Sequence, residues 1–346
     1  MTILYMSKDG ATFPPAIAND EDTSSLGIIY LKRFWSQKIS ARMQALPGGA
    51  TAHDLVAEKV LLAGLKLGLR ETLDFLMTAN PSFEEFEGWV LEKNGGTIAP
   101  DRVELLNDAL RGHGSFVLAS VQPEPVLSSA DLAFWDELGY VVVKRAVSRD
   151  QCRAAVNAIF EHAGMDIARP DSWYADSIWI LLAHHPALWS NRNSPRIHTA
   201  FAQLWQRSDL WMNVDVCGVN PPERPGYQFR GSPLHWDMTL TPPVRFGTQA
   251  ILYLTDTAVD QGAFSCVPGF HRKLEKWLGK QPAGADPRAR AATELRAIPI
   301  AGEAGDLLIW HQALPHGATP NRARLPRVVQ YLNMFPSQHE INPHWS

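Results

Sequence analysis

The chain has 346 residues, a formal net charge of −4, and 45% hydrophobic and 20% charged residues. That balance describes a folded globular protein and excludes an intrinsically disordered one. A mildly acidic chain with scattered basic residues gives no electrostatic case for binding nucleic acid or an anionic membrane.

The first fifteen residues, MTILYMSKDGATFPP, lack a basic stretch followed by an apolar core. No run of about 18 apolar residues follows that could span a bilayer. Cys152, Cys217 and Cys266 form no CxxC pair and predict reduced, buried thiols. The expected location is cytoplasmic.

Residues 1–120 read as a helical extension. Leu55, Val56, Val60, Leu61, Leu65, Leu69, Leu73 and Leu76 recur at threes and fours and predict one amphipathic helix. Asn80-Pro81-Ser82 should break it, with Ser82 capping a second helix that carries Glu84 and Glu85 in its first turn. Asn94-Gly95-Gly96 ends that helix, and Pro100-Asp101 opens a third that runs to Gly112. No residue cluster here suggests chemistry. The extension is expected to pack outside the domain that follows or to form a homodimer interface. Val121 to Val126, with two prolines, reads as an extended joint.

The period then changes. A helix from Ala130 to Leu138 precedes a short β-branched strand, Gly139 to Lys144, and Ser148 is placed to cap a helix reaching Ala163. Ser172 to Arg207 is expected to be mainly helical. From Leu210 strands dominate: Leu210–Cys217, Thr248–Leu254, Phe264–Val267, Asp306–Trp310 and Pro326–Met334, with Gly and Pro at the joints. This pattern predicts an antiparallel sandwich or barrel, and no G-x-G-x-x-G follows a strand to suggest a dinucleotide fold. The expected domain spans residues 129–336, with a tail at 337–346.

His235-Trp236-Asp237 lies in this β region, where positions two apart point to the same side. His316 follows a strand much later. Two histidines and one carboxylate on one face of an octahedral metal are the ligand set of non-haem iron(II) oxygenases, which keep the other positions open. An H-x-D alone is weak, since surface His–Asp neighbours are common. Arg327 sharpens it. It starts a strand eleven residues after His316, where a guanidinium could pair bidentately with a carboxylate. His311 competes with His316 as third ligand, but the spacing to Arg327 favours His316. His271 reads as a turn-holding residue and His184-His185 as a helix end. Trp236 and Trp310 adjoin the metal motifs and could form an aromatic wall.

Four stretches together resemble the phytanoyl-CoA dioxygenase family: Phe134 to Val143, Leu234-His-Trp-Asp237, Gly262 to Arg272, and Gly305 to Arg322 continuing to Arg327. The resemblance implies an α+β, mainly β fold, with a double-stranded β-helix (jelly-roll, cupin-like) core behind the helical N-terminal extension. It implies Fe(II) held by His235, Asp237 and His316, with 2-oxoglutarate and O2 as co-substrates and Arg327 on the far carboxylate of 2-oxoglutarate. The implied reaction hydroxylates an unactivated C–H bond of a small-molecule substrate and releases succinate and CO2. A natural-product intermediate, an amino-acid derivative or a carboxylic acid would fit, while no basic groove for a coenzyme A thioester is evident.

The sequence departs from the family pattern in two places. A Ser or Thr is frequent two residues after the second histidine, but here that position is Ala318, so Thr319 or a water would have to supply the missing hydrogen bond to the co-substrate. The residue inside the first motif is Trp236 rather than Gln. Two rival readings are a cupin-like metal isomerase or hydrolase and a catalytically silent binding protein.

Overall fold

The computed structural model describes residues 15–42, 51–113, 124–174, 177–228, 232–282 and 284–341. The N-terminal segment read for targeting signals (1–14), half of the expected joint (121–123) and the end of the tail (342–346) lie outside the described residues. The chain divides into two compact units. One comprises Met1–Phe116, Asn213–Asp215 and Pro336–Pro343, and the other holds the remainder.

Among the described residues the first unit has five helices: α1 (Leu31–Arg42), α2 (Ala52–Gly64), α3 (Leu69–Ala79), α4 (Phe83–Lys93) and α5 (Pro100–Leu110). Ser82 caps α4 in a reciprocal capping box with Glu85, and Pro100 occupies the first turn of α5. The single helix expected from Leu55 to Leu76 is in fact two. Lys66 adopts a left-handed φ of 55° and Gly68 starts the second. Leu65 and Leu67 stay buried on both sides of the break, so the apolar period runs on through it and hides it. At Gly64 an added Cβ would sit 2.4 Å from Leu106 Cδ1, so glycine lets α2 and α5 approach closely. Asp54 gathers Tyr30, Arg33 and the Thr51 cap.

The second unit opens with α6 (Ser129–Leu138), β1 (Tyr140–Val143) and α7 (Arg149–His162), each helix starting with a serine capping box. There follow β2 (Trp179–Ile180), α8 (Pro186–Arg192), α9 (Pro195–Trp205), β3 (Leu210–Met212), β4 (Cys217–Asn220), β5 (Ser232–His235), β6 (Thr248–Tyr253) and β7 (Phe264–Cys266). The chain closes with α10 (Leu274–Leu278), α11 (Pro287–Glu294), β8 (Ile298–Ile300), β9 (Leu307–His311), β10 (His316–Ala318), β11 (Arg327–Tyr331) and β12 (Met334–Pro336).

Six strands form one sheet in the order β1-β9-β6-β11-β4-β2, and four form a second in the order β5-β10-β7-β8. Every pairing in both sheets is antiparallel. This is the double-stranded β-helix: from β4 to β7 and again from β8 to β11 consecutive strands alternate between the sheets, so most neighbours in space are distant in sequence.

Alternation along the strands sorts the core into two layers. Ala250, Leu252, Leu307, Ile309 and Val328 face outward under residues of α7, α8 and α9. Ile251, Tyr253, Leu308, Trp310 and Val329 face inward, toward Trp236, Phe264 and Phe270. Asn191 of α8 donates to Gln330, whose own amide donates to the Leu188 carbonyl, which fixes α8 on β11.

Two long strands expected from the sequence are interrupted. Leu210–Cys217 splits at residues 213–216, and Pro326–Met334 ends at Tyr331 and restarts at Met334. The segment 172–207, expected to be mainly helical, carries α8 and α9, preceded by the two-residue strand β2.

Candidate metal centre

His235 is the last residue of β5 and His316 the first of β10, and the two are direct partners across that strand pair. The pair is irregular: the register shifts between His316 and Ala318, which bends the strand. Gly317 permits the close approach. An added Cβ there would lie 2.3 Å from the Ser232 carbonyl oxygen. The imidazole centroids are 4.5 Å apart. Asp237 lies just past the strand end, where the chain bends.

The three side chains converge. Asp237 Oδ2 is 3.3 Å from His316 Nε2, and Asp237 Oδ1 is 3.6 Å from His235 Nε2. One donor atom from each residue lies within 4.8 Å of the others. The tautomers follow from local backbone. His235 Nδ1 is 2.8 Å from the Pro233 carbonyl, and His316 Nδ1 is 3.1 Å from the Leu314 carbonyl. A carbonyl only accepts, so each Nδ1 carries a proton, which leaves each Nε2 as the ring atom that would ligate a metal at the shared point once it gives up any proton it shares with Asp237.

Electrostatics prepare the same state. Partial burial pushes the Asp237 carboxyl up, but His316, Gln249 and His235 outweigh it and hold it well below the ordinary carboxylate range. Burial, then the neighbouring His316, pushes the His235 imidazole down. An ionised carboxylate beside a neutral imidazole is the protonation state that metal ligation requires.

A further residue, not anticipated from the sequence, fixes the carboxylate. Gln249 Nε2 donates to Asp237 Oδ2 at 2.7 Å, and Gln249 Oε1 accepts from Trp310 Nε1 at 3.1 Å. An indole N–H can only donate, so Trp310 sets which end of the Gln249 amide faces Asp237. The available signal was an inward-facing polar residue at the start of an otherwise apolar strand.

Trp310 also packs against His316, with centroids 5.1 Å apart. Trp236 does not share that setting. It is buried against Phe270 and Trp277, and its Nε1 donates to the Ala313 carbonyl. Of the two tryptophans expected to wall the site, Trp310 lies against it and Trp236 belongs to the core.

The other histidines are accounted for by the fold. His311 Nδ1 accepts from the Ala313 amide, the His271 ring bonds the Asp136 carbonyl, and His185 caps α8.

Arg327 is 5% exposed and starts β11 on its inward face. Nη1 donates to the Gly262 carbonyl at 2.6 Å and Nη2 approaches Tyr331 Oη at 3.4 Å. Among the described residues Nε has no hydrogen-bond partner and no carboxylate pairs with this cation. A buried guanidinium lacking its anion fits a site for an anionic ligand. Thr319 is placed otherwise: its hydroxyl donates to the Val259 carbonyl at 3.2 Å and its amide to Ala263.

The family model described as phytanoyl-CoA dioxygenase (PhyH) matches residues 135–329, more than half of the chain. The chain belongs to the phytanoyl-CoA dioxygenase family. It is accordingly a non-haem iron(II)- and 2-oxoglutarate-dependent dioxygenase.

Among curated relatives it is 20% identical to a protein of Dictyostelium discoideum named for phytanoyl-CoA dioxygenase, across 59% of this chain and 74% of that protein. It is 20% identical to the Ava biosynthesis cluster protein O of Aspergillus versicolor, across 58% and 75%. Among solved structures it is similar to the non-haem alpha-ketoglutarate-dependent carbocyclase SnoK from nogalamycin biosynthesis, at TM-score 0.48 and 23% identity, covering 64% of this chain and 90% of that one. Among the described residues no helix is long and apolar enough to cross a membrane.

Proposed function

We propose that this family member hydroxylates an unactivated C–H bond of a small organic molecule, with His235, Asp237 and His316 holding the iron and Arg327 anchoring 2-oxoglutarate. The observation that carries the reading is the convergence of one donor atom each from His235, Asp237 and His316 within 4.8 Å of one another. The donor set suits iron(II): imidazole and carboxylate in a facial triad that keeps open positions. When bound, iron would supply the oxidising chemistry, with O2 as oxidant and 2-oxoglutarate as the co-substrate oxidised to succinate and CO2.

The chain's own residues supply placement. The carbonyls of Pro233 and Leu314 keep both histidines in the ligating tautomer. Gln249 and Trp310 hold Asp237 in one orientation. Arg327 offers a buried cation with an unpaired Nε–H to the far carboxylate of 2-oxoglutarate. Thr319, whose hydroxyl proton is engaged by Val259, is not part of this proposal.

Retention of Asp237 leaves no vacated ligand position for a halide, so hydroxyl rather than halogen is the expected product group. A natural-product intermediate, an amino-acid derivative or a carboxylic acid is the substrate class in view. Three buried free thiols agree with a reducing, cytoplasmic setting.

The test is a screen of such compounds with the iron-loaded protein, reading succinate and product mass together. A substrate-dependent rise in succinate with a product gain of one oxygen supports the proposal. Succinate formation coupled instead to a halogenated product, or to no change in the compound, contradicts it.

A further inference from the structure

Asn220 ends β4 and is the direct strand partner of Arg327. Partners in an antiparallel pair put their side chains on the same face, so the amide shares the inward face with the guanidinium. Asn220 is 3% exposed. Its backbone carbonyl is used, accepting from Asn321 Nδ2 at 2.8 Å. Its side chain is not: among the described residues neither Nδ2 nor Oδ1 has a hydrogen-bond partner. Both residues lie against Gly262. Arg327 Nη1 donates to the Gly262 carbonyl, and a Cβ added to Gly262 would fall 2.4 Å from Asn220 Nδ2. Gly262 thus keeps the space in which amide and guanidinium sit side by side.

An amide buried without partners is costly, and native proteins keep such groups only where something else satisfies them. The position itself does not call for asparagine, since a β-branched residue would suit the end of this strand better. An amide without partners and a guanidinium whose Nε–H has none share the inward face of adjacent strands.

We propose that Asn220 is a co-substrate-binding residue: its Nδ2–H donates to the distal carboxylate of 2-oxoglutarate beside Arg327. Carboxylate oxygens only accept, so the ligand selects the rotamer that presents Nδ2, and Oδ1 turns toward the guanidinium opposite it in the strand register. The inference rests on reading Arg327 as the anchor of that carboxylate.

The experiment titrates the anaerobic iron(II)-loaded protein with 2-oxoglutarate, then with 2-oxovalerate, which has a methyl group in place of the distal carboxylate. The readout is the weak visible charge-transfer band of the chelate, so no turnover is needed. Asn220→Ala should raise the Kd for 2-oxoglutarate about tenfold, the loss of one hydrogen bond to a charged group, and leave that for 2-oxovalerate unchanged. Asn220→Asp should raise it further, because the new carboxylate occupies Arg327 and repels the ligand. The ligand-free melting temperature should hold in Asn220→Ala and rise in Asn220→Asp.

An unchanged 2-oxoglutarate Kd in both Asn220 variants, with Arg327→Ala impaired, would overturn the inference and leave the arginine anchor standing. Unchanged affinity in Arg327→Ala as well would overturn the anchor itself. Equal weakening toward both oxo acids, or a lowered ligand-free melting temperature in both Asn220 variants, would assign the amide to the fold and also overturn the inference.

Discussion

Gln249→Leu removes two hydrogen bonds, one to Asp237 and one from Trp310 Nε1, and little volume, and the effect on Asp237 of losing the first can be worked from the geometry. The lost bond is short, 2.7 Å, and its acceptor is an ionised carboxylate. Hydrogen bonds to charged groups contribute roughly 1.5–3 kcal/mol. The Asp237 side chain is 51% exposed, so water takes over part of the lost interaction. The lower end applies: about 1.4 kcal/mol, or about tenfold weaker metal binding, the lower edge of what outer partners of metal ligands usually contribute.

Gln249→Glu should do more harm, since it sets a second anion against Asp237. Trp310→Phe should fall between wild type and Gln249→Leu. It keeps the packing on Phe264 and His316 but frees the amide to present Oε1 to the carboxylate. The assay is anaerobic titration with cobalt(II), followed by its visible spectrum, at a pH near 7.5. Metal affinity in Gln249→Leu equal to wild type would refute the claim that this amide positions the carboxylate.

Arg327→Ala should raise the KM for 2-oxoglutarate while leaving metal affinity nearly intact, at a cost of roughly 2–5 kcal/mol for a buried charge pair; Arg327→Lys should recover only part, because an ammonium lacks the planar fork. An alanine variant with normal KM would mean another cation holds the co-substrate. Gly317→Ala should separate β10 from β5, since its Cβ would meet the Ser232 and Pro233 carbonyls; metal binding should be lost while helical circular dichroism is retained, and normal metal binding would show that the close approach is dispensable. The acid limb of stability supplies a pH test. Burial, with His271 beside it, pushes the His311 imidazole down to about 3, against about 6.5 in the unfolded chain. Between those values the unfolded state takes up a proton that the fold refuses, so stability is fully present above about 6.5 and declines as pH falls. The contribution is about 1 kcal/mol per pH unit, and His311→Gln should flatten the decline of melting temperature between pH 6.5 and 4.5; parallel curves would contradict the buried neutral imidazole.

What was legible in the sequence follows from what is local. His235, Asp237, His316 and Arg327 stand in short motifs whose order and spacing carry their chemistry, and the geometry brings the first three together. Capping boxes at Ser82 and Ser148 were readable because a cap and its partner lie three residues apart. Gln249 and Asn220 were not readable, since their meaning comes from register. One meets Asp237 across the barrel interior, and the other faces Arg327 across a strand pair more than a hundred residues apart in the chain. The break at Lys66 was masked because both flanking leucines remain buried. Trp236 misled for the opposite reason: adjacency to two ligand candidates in sequence, with alternation turning it into the core.

The central claim is that one iron(II) ion is held by His235, Asp237 and His316 and chelated by one 2-oxoglutarate. Anaerobic titration of the full chain with iron(II) and 2-oxoglutarate tests it most directly. A weak visible band should saturate at one equivalent of each per chain and be lost in His235→Ala and His316→Ala, both with wild-type circular dichroism. A band that persists undiminished in either folded variant would contradict it.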